Sequence, residues 1–340
     1  MKKRYDFIDL LKFIAVLAVI VTHIFNLGIP WGSYPFSVGW IFVEFFFIVT
    51  GYFTTLHFLP LMGEGGADER MKRSLQYTYK KFIRMVPYST FVIAAEYIFG
   101  NLGLLQEGKL AYLKGFANMP FEMVYLSCAT SHTPRAASVW FISAMFLVFP
   151  VYCCLLQMKS RNWLRWLSFI APVLYYCYFD VIAARNYPHD LLRAFTCMMI
   201  GTWLCLSQAD CNRLYGRIRS KALLTALEVG AFAFVVVAAY RNSAELMKLC
   251  VPAFMLTVSI IFSDMSYTAN FSSSVFRWTT RISMPLFMWN WTIATIIRAV
   301  APSLADSAKV AWYLALSCLV PLAHYFIVEA FKKSRARKAA

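Results

Sequence analysis

Residues 7–27, FIDLLKFIAVLAVIVTHIFNL, decide the fold, because an apolar run of this length crosses a bilayer as a helix. The run contains three ionisable side chains, Asp9, Lys12 and His23. A charge near the centre of a bilayer costs on the order of 3 kcal/mol, so each is a candidate functional residue. Helical geometry puts Lys12 and His23 on one face, about 16 Å apart along the axis. This helix therefore carries a cation towards one end and an imidazole towards the other.

The rest of the chain is also typical of a polytopic membrane protein. Its 340 residues are 60% hydrophobic, against about 45–50% in soluble domains. Apolar runs of about 20 residues predict an all-α bundle of about ten transmembrane helices in one domain, 1–340, with no additional soluble domain. The predicted spans are 7–27, 38–58, 80–100, 138–157, 164–182, 190–208, 222–241, 247–264, 282–300 and 308–331.

The net charge of +16 follows membrane topology, which argues against a nucleic-acid partner. Lys and Arg concentrate near both termini and in alternate connections, which places both termini in the cytoplasm and the protein in the cell membrane. Nine scattered cysteines have no metal-ligand spacing, so we expect small buried thiols and no metal site.

Two connections are informative. Residues 61–78 contain glycines and mixed charge, which predicts a flexible cytoplasmic loop. Residues 101–137 are too apolar for a free linker, and we expect them to pack over the bundle, either as a cap on an acceptor cavity or as an interfacial helix with no substrate role. The histidines other than His23 are interpreted as structural or interfacial: His57, His132, His189 and His324.

Three short motifs lie in the first three predicted helices. In the first helix Lys12 precedes His23 with ten residues between them, and the second contains Val43–Tyr52, VEFFFIVTGY. The third opens with Lys81-Phe-Ile-Arg84, followed by Pro87. In this order the motifs resemble those of the acyltransferase-3 family of integral membrane acyltransferases. That family has an Arg before the His of its first helix, where Lys12 stands here. Its second helix carries an acid, paired Phe, Ser-Gly and an aromatic residue, and its third carries a pair of basic residues.

The resemblance has two departures. The family often has Trp opening its fourth helix and a Glu five residues later, whereas Trp140 is followed here by Met145. A late helix often carries His after an aromatic residue, whereas Trp289 leads here into Asn290. Trp140 and Asn290 are therefore expected as supporting positions.

The resemblance implies transfer of an acyl group, expected to be acetyl, from cytoplasmic acyl-CoA to a hydroxyl of a cell-surface glycan or lipid-linked saccharide. Acetyl-CoA would be a co-substrate, with no permanently bound cofactor. Such a reaction needs a base for the hydroxyl and cations for the coenzyme phosphates. Lys12, Lys81 and Arg84 fall in the same third of their predicted helices and are assigned to the phosphates.

His23 is assigned as the base and Glu44 as its orienting partner. Their predicted depths in antiparallel spans differ by only about 3 Å, which allows a hydrogen bond between them. Asp9, one turn before Lys12, is expected to pair with that lysine when no donor is bound.

Two other function classes remain open. A transporter or flippase of a saccharide or lipid-linked intermediate would also use intramembrane Glu, Lys and His. It would show substrate counterflow without thioester consumption. A membrane sensor or assembly partner would tolerate loss of His23.

Overall fold

A computed structural model describes residues 4–129, 137–178 and 187–339. Within these ranges every regular element is a helix and there is no strand, which confirms the all-α polytopic bundle. His132, with its predicted structural role, lies outside the described residues.

Fifteen α-helices occur in the described chain. They are α1 Asp6–Thr22, α2 Phe42–Phe58, α3 Ala67–Phe82, α4 Val86–Gly100, α5 Lys109–Lys114, α6 Met119–Met123, α7 Trp140–Leu156, α8 Arg161–Tyr178, α9 Tyr187–Leu206, α10 Gln208–Gly216, α11 Lys221–Tyr240, α12 Ala244–Met247, α13 Cys250–Phe262, α14 Ser274–Val300 and α15 Asp306–Ala339. Short 3₁₀ segments are His23–Leu27, Gly39–Ile41, Leu59–Leu61, Leu102–Glu107, Ser127–Ala129, Ala137–Val139 and Thr268–Asn270.

Each of the ten predicted spans overlaps a long helix, but the number that cross a membrane is not confirmed as ten. Among the described residues, four helical segments are long and apolar enough, or six if each of two bent pairs counts as one span. The four are Asp6–Leu27, Gly39–Leu61, Lys221–Tyr240 and Asp306–Arg335. The helices Trp140–Leu156 and Cys250–Phe262 are apolar but shorter. Hydropathy therefore located the helices correctly, but it did not determine which of them cross the membrane.

The prediction of a flexible loop over residues 61–78 is wrong for most of its length. The glycines at 63, 65 and 66 do end the preceding segment, but α3 begins at Ala67. Its inner face is fixed by Gln157, the residue that follows α7, whose Nε2 donates to Ser74 Oγ at 2.9 Å and to the Arg70 carbonyl at 3.2 Å. The mixed charge of this stretch therefore belongs to the exposed face of an amphipathic helix.

The stretch after α4 packs on the bundle, as predicted, over its described part. Tyr97 of α4 donates to Glu122 Oε1 at 2.8 Å, and the hydroxyls of Ser89 and Tyr125 lie 2.6 Å apart. The Cys128 backbone N–H donates to Ser143 Oγ of α7 at 2.9 Å. These buried polar contacts tie the segment to α4 and α7.

The closest helix crossing is between α2 and α9, at Gly51 and Gly201. A Cβ added at Gly51 would lie 2.1 Å from the Met198 carbonyl oxygen, and one at Gly201 would lie 2.1 Å from the Ile48 carbonyl oxygen. Small residues at such a crossing let two backbones approach in a membrane. Three hydroxyls bridge the same crossing: Tyr152 Oη lies 2.7 Å from Thr202 Oγ1, which accepts from Thr55 Oγ1 at 3.0 Å.

We expect Gly51→Ala and Gly201→Ala each to destabilise the protein by about 1–3 kcal/mol or more, because the clash is with backbone that has no rotamer to move. The measurement is unfolding by SDS titration in mixed micelles. Gly230→Ala in α11 is the matched control, because no atom lies within 4 Å of its added Cβ. Equal stability of Gly51→Ala and Gly230→Ala would contradict the close crossing.

Candidate functional site

The end of α1 presents His23 on a turn rather than on the α-helix itself. The α-helix ends at Thr22 and continues as the 3₁₀ segment His23–Leu27. Tyr34 holds this change of geometry from one side: its hydroxyl donates to the Thr22 carbonyl at 2.8 Å and accepts from the Phe25 N–H at 3.0 Å. The backbone on both sides of His23 is thereby bonded to one side chain.

Other helices fix the same turn from the opposite side. Tyr313 of α15 donates to the Ile20 carbonyl at 2.7 Å. The Asn26 amide donates to the Trp291 carbonyl and to Thr295 Oγ1 of α14, both at 3.3 Å. The position of His23 is therefore defined by contacts with two late helices, and its ring meets Trp291 edge-on at a centroid distance of 5.3 Å.

Glu44 lies in a different interface, between α2 and α9. Its carboxylate is fully buried and accepts from Arg193 Nε at 2.7 Å through Oε1 and at 3.0 Å through Oε2. The Cys197 thiol donates to Oε2 at 3.7 Å. An arginine inside a membrane helix is compensated in this way by an acid of a neighbouring helix.

The predicted hydrogen bond between His23 and Glu44 is therefore wrong: the carboxylate pairs with Arg193. Equal depth in the bilayer is necessary for such a bond, but the rotation of each helix about its axis also matters. His23 faces α14, whereas Glu44 faces α9. The assignment of His23 as the base is not affected by this correction and stays a prediction.

Trp140 takes part in the buried charge pair. The Arg193 guanidinium carbon lies 5.0 Å from the centre of the Trp40 ring and 5.4 Å from that of Trp140. Cation–π contacts of this kind strengthen when they are shielded from water. Arg193 Nη2 also donates to the Trp40 carbonyl at 3.4 Å. Two tryptophans and one carboxylate thus enclose one guanidinium.

Arg193 is the residue of this cluster that sequence reasoning missed. A signal was present, because Arg193 is the one cationic side chain in the predicted span 190–208. The same rule that drew attention to Lys12 and His23 applies to it.

A thiol close to this cluster is not poised as a nucleophile. Cys128 donates to the Trp140 carbonyl at 3.4 Å, and burial raises the pKa of its thiol to about 11. A reactive cysteine needs its thiolate near neutral pH. Cys128 is therefore a packing residue.

Near the start of α1, Lys12 has the predicted partner. Asp9 Oδ1 lies 3.7 Å from Lys12 Nζ, which confirms the expected pairing. Arg4 shares the same acid, donating to Asp9 Oδ2 at 2.7 Å. The Lys12 ammonium also lies 5.6 Å from the ring centre of Phe53 on α2.

Lys81, on α3, is the second lysine of this region. Its ammonium lies 4.6 Å from the centre of the Phe149 ring, and it is near enough to Lys12 for the two charges to repel. Lys81 forms no ion pair in the part of the chain that the structure describes. Two cations that lie near enough to repel, each beside an aromatic ring, form an attractive site for an anion.

Arg84 lies apart from this pair, in the turn between α3 and α4. The two helices meet there at a bend of 61°. The side chain is exposed, and among residues 4–129, 137–178 and 187–339 it makes no hydrogen bond or ion pair. Its proposed contact with the donor phosphates stays a prediction.

Asp6 is a second residue to which the sequence analysis gave no role. In the structure its contacts hold helices together. It is buried and accepts from the Ser273 N–H at 2.9 Å, at the start of α14. It also pairs with Arg4 at 3.0 Å and with Arg277 at 3.7 Å. An acid at a helix N-terminus stabilises the unpaired N–H groups there, so Asp6 joins α1 to α14.

Asn290, the position at which the family often has His, is fully buried on α14. Its Nδ2 donates to the Phe287 carbonyl at 2.6 Å, one turn back on the same helix. Its Oδ1 has no hydrogen-bond partner among the described residues. Met145, the position of the missing acid, is buried in the hydrophobic core.

The described histidines other than His23 contact neighbouring side chains. His57 stacks on Tyr77 at 4.6 Å, His189 lies 2.9 Å from Tyr175 Oη, and His324 Nδ1 accepts from Trp289 Nε1 at 2.8 Å. These contacts are consistent with structural roles.

One known protein family matches nearly the whole chain. A family model described as the acyltransferase domain of the acyltransferase-3 type matches residues 5–327. No curated protein and no solved structure matches the chain. The match includes α1 to α4, which carry Lys12, His23, Glu44, Lys81 and Arg84, and it extends into α15. The chain is therefore a membrane acyltransferase that belongs to the acyltransferase-3 family.

Proposed function

We propose that this acyltransferase moves an acetyl group from cytoplasmic acetyl-CoA to a hydroxyl of a saccharide. The saccharide is either part of a cell-surface glycan or linked to a lipid. Family membership supports the acyl transfer. The donor, the acceptor and the roles of individual residues are part of the proposal. Both termini would face the cytoplasm, as the distribution of Lys and Arg favours.

One observation carries the proposal: Lys12 and Lys81, each beside an aromatic ring, lie near enough to repel, and Lys12 is at the end of the helix opposite His23. The two positions on that helix are about 16 Å apart. A coenzyme-A thioester has its phosphates and its reactive carbon at opposite ends of a long flexible arm. Such a donor could place its phosphates on the lysines and its thioester near His23.

The chemistry requires one proton transfer and one acyl transfer. The acceptor hydroxyl gives its proton to an imidazole nitrogen of His23 while its oxygen bonds to the thioester carbon. The carbon–sulfur bond then breaks, and the coenzyme leaves as a thiolate that takes the proton back from the imidazolium. The products are an ester and free coenzyme A, and His23 returns to its starting state.

The expected result is transfer of labelled acetyl from acetyl-CoA to glycans in membranes that contain this protein. Lys81→Met should raise the KM for acetyl-CoA about 10- to 100-fold, because a charge-assisted contact is worth roughly 1.5–3 kcal/mol. The measurement is initial rate against acetyl-CoA concentration in purified membranes.

Lys80→Met is the matched control, because Lys80 is the neighbouring residue on α3 but is exposed on another face. Its KM should not change. Equal KM values for the two variants would remove Lys81 from the donor site. Saccharide counterflow without thioester consumption would favour a transporter instead.

A further inference from the structure

A continuous series of aromatic rings leads from the protein surface to His23. Trp31 is 43% exposed, and its ring centre lies 4.9 Å from that of Phe25. Phe25 in turn contacts Trp291 at 5.7 Å, and Trp291 contacts His23 at 5.3 Å. The series combines α14 with the turn at the end of α1, so it exists only in the folded protein.

The loop that carries Trp31 is held in place at both of its ends. Tyr34 binds the backbone on either side of His23, as described above. Asn242, after α11, donates to the Tyr34 carbonyl at 2.9 Å and accepts from the Val38 N–H at 3.4 Å. The indole is therefore presented by an anchored loop, and the ordering of a binding face of this kind costs little when a ligand binds.

The charge of this region points to the kind of ligand. From Phe13 to Val43 the sequence contains no Lys, Arg, Asp or Glu, and neither does the stretch of α14 from 282 to 297. The two segments that supply the rings thus carry no formal charge, in contrast to the Lys12 and Lys81 region. A neutral ligand with one apolar face suits such a surface. A pyranose ring has this character, because its axial C–H groups form an apolar face while its hydroxyls point outwards.

We propose that Trp31, Phe25 and Trp291 form the binding face for one neutral pyranose ring of the acceptor, next to His23. This proposal rests on the proposed function, because it adds the place where the acceptor lies. The ring stacks on the exposed indole, and the hydroxyl to be acylated projects towards the imidazole. An exposed tryptophan in a membrane protein also commonly marks the lipid interface. The experiment must therefore separate these two roles.

The first test measures binding without catalysis, by saturation-transfer NMR on the protein in nanodiscs. The probes are maltotriose and the trimer of N-acetylglucosamine, with sorbitol as a control that has no ring. We expect at least one trisaccharide to receive saturation, strongest at its C–H face protons, and sorbitol to receive none. Trp31→Ala should abolish the signal, and Trp31→Phe should retain part of it.

The matched control is Trp312→Ala. Trp312 on α15 is 56% exposed and has no ring contact in the described part of the chain. Its loss should not change the saturation transfer. Absence of binding by both trisaccharides, or equal loss of signal in Trp31→Ala and Trp312→Ala, would overturn the subsite.

The second test is kinetic. Trp31→Ala should raise the KM for the saccharide acceptor about tenfold, while the KM for acetyl-CoA stays the same. An unchanged acceptor KM in an active enzyme would refute the subsite and leave the proposed function intact. Trisaccharide binding that depends on Trp31, in a protein that transfers no acetyl group, would support the subsite and refute the proposed function.

Discussion

His23→Ala should lower acetyl transfer by about two to four orders of magnitude, because a general base typically contributes that much to the rate. The variant should still insert and fold. The turn that carries His23 is held by Tyr34, Tyr313 and Asn26, and none of the contacts that these side chains make uses the imidazole. The measurement is the initial rate of labelled acetyl transfer at saturating acetyl-CoA, normalised to folded protein.

The control is His324→Gln. His324 accepts from Trp289 Nε1, a role that a glutamine oxygen can replace. This variant should keep the normal rate within a few-fold. Near-normal transfer by a well-folded His23→Ala protein would remove His23 from the mechanism, and the aromatic face beside it would then require a different explanation.

The second large effect concerns the Glu44–Arg193 pair. Glu44→Leu and Arg193→Met should each lower the free energy of unfolding by about 3–5 kcal/mol, because each leaves one buried charge without its partner. The double variant replaces both charges with apolar groups and should recover most of that loss. The resulting coupling free energy should be about 5 kcal/mol or more, measured for all four proteins by SDS titration in mixed micelles.

An exposed pair provides the comparison for this cycle. Arg165 and Asp210 form an ion pair on the surface, with side chains 42% and 49% exposed. Breaking it with Arg165→Ala should cost no more than about 1 kcal/mol. A double variant that loses the sum of the two single losses would show that Glu44 and Arg193 do not stabilise one another.

The same double variant tests how Glu44 acts. In this structure Glu44 does not touch His23 but holds Arg193 between Trp40 and Trp140. We therefore expect Glu44 to act by positioning Arg193 and not on the imidazole. A folded double variant should retain transfer within about tenfold and show an unchanged pH profile. Complete loss of transfer with full stability would mean that one of the two charges acts in the reaction itself.

Local features of the sequence determined the helices and the order of the motifs. The apolar runs located ten segments that all contain helices, because hydropathy and helical periodicity depend on neighbouring residues. The pairing of Asp9 with Lys12 followed for the same reason, since both lie within one turn of one helix. The amphipathic helix α3 was missed, because its exposed face resembles a charged loop.

Tertiary structure decided which distant residues meet. Arg193 is separated from Glu44 by 149 residues, and no spacing rule connects them. Their contact depends on how α2 and α9 are rotated and on how closely Gly51 and Gly201 let the two helices approach. The turn at His23 is likewise formed by Tyr313, 293 residues from its partner Ile20, and by α14. The sequence by itself determined which side chains are costly to bury, and only the packing of the helices determined which partners compensate them.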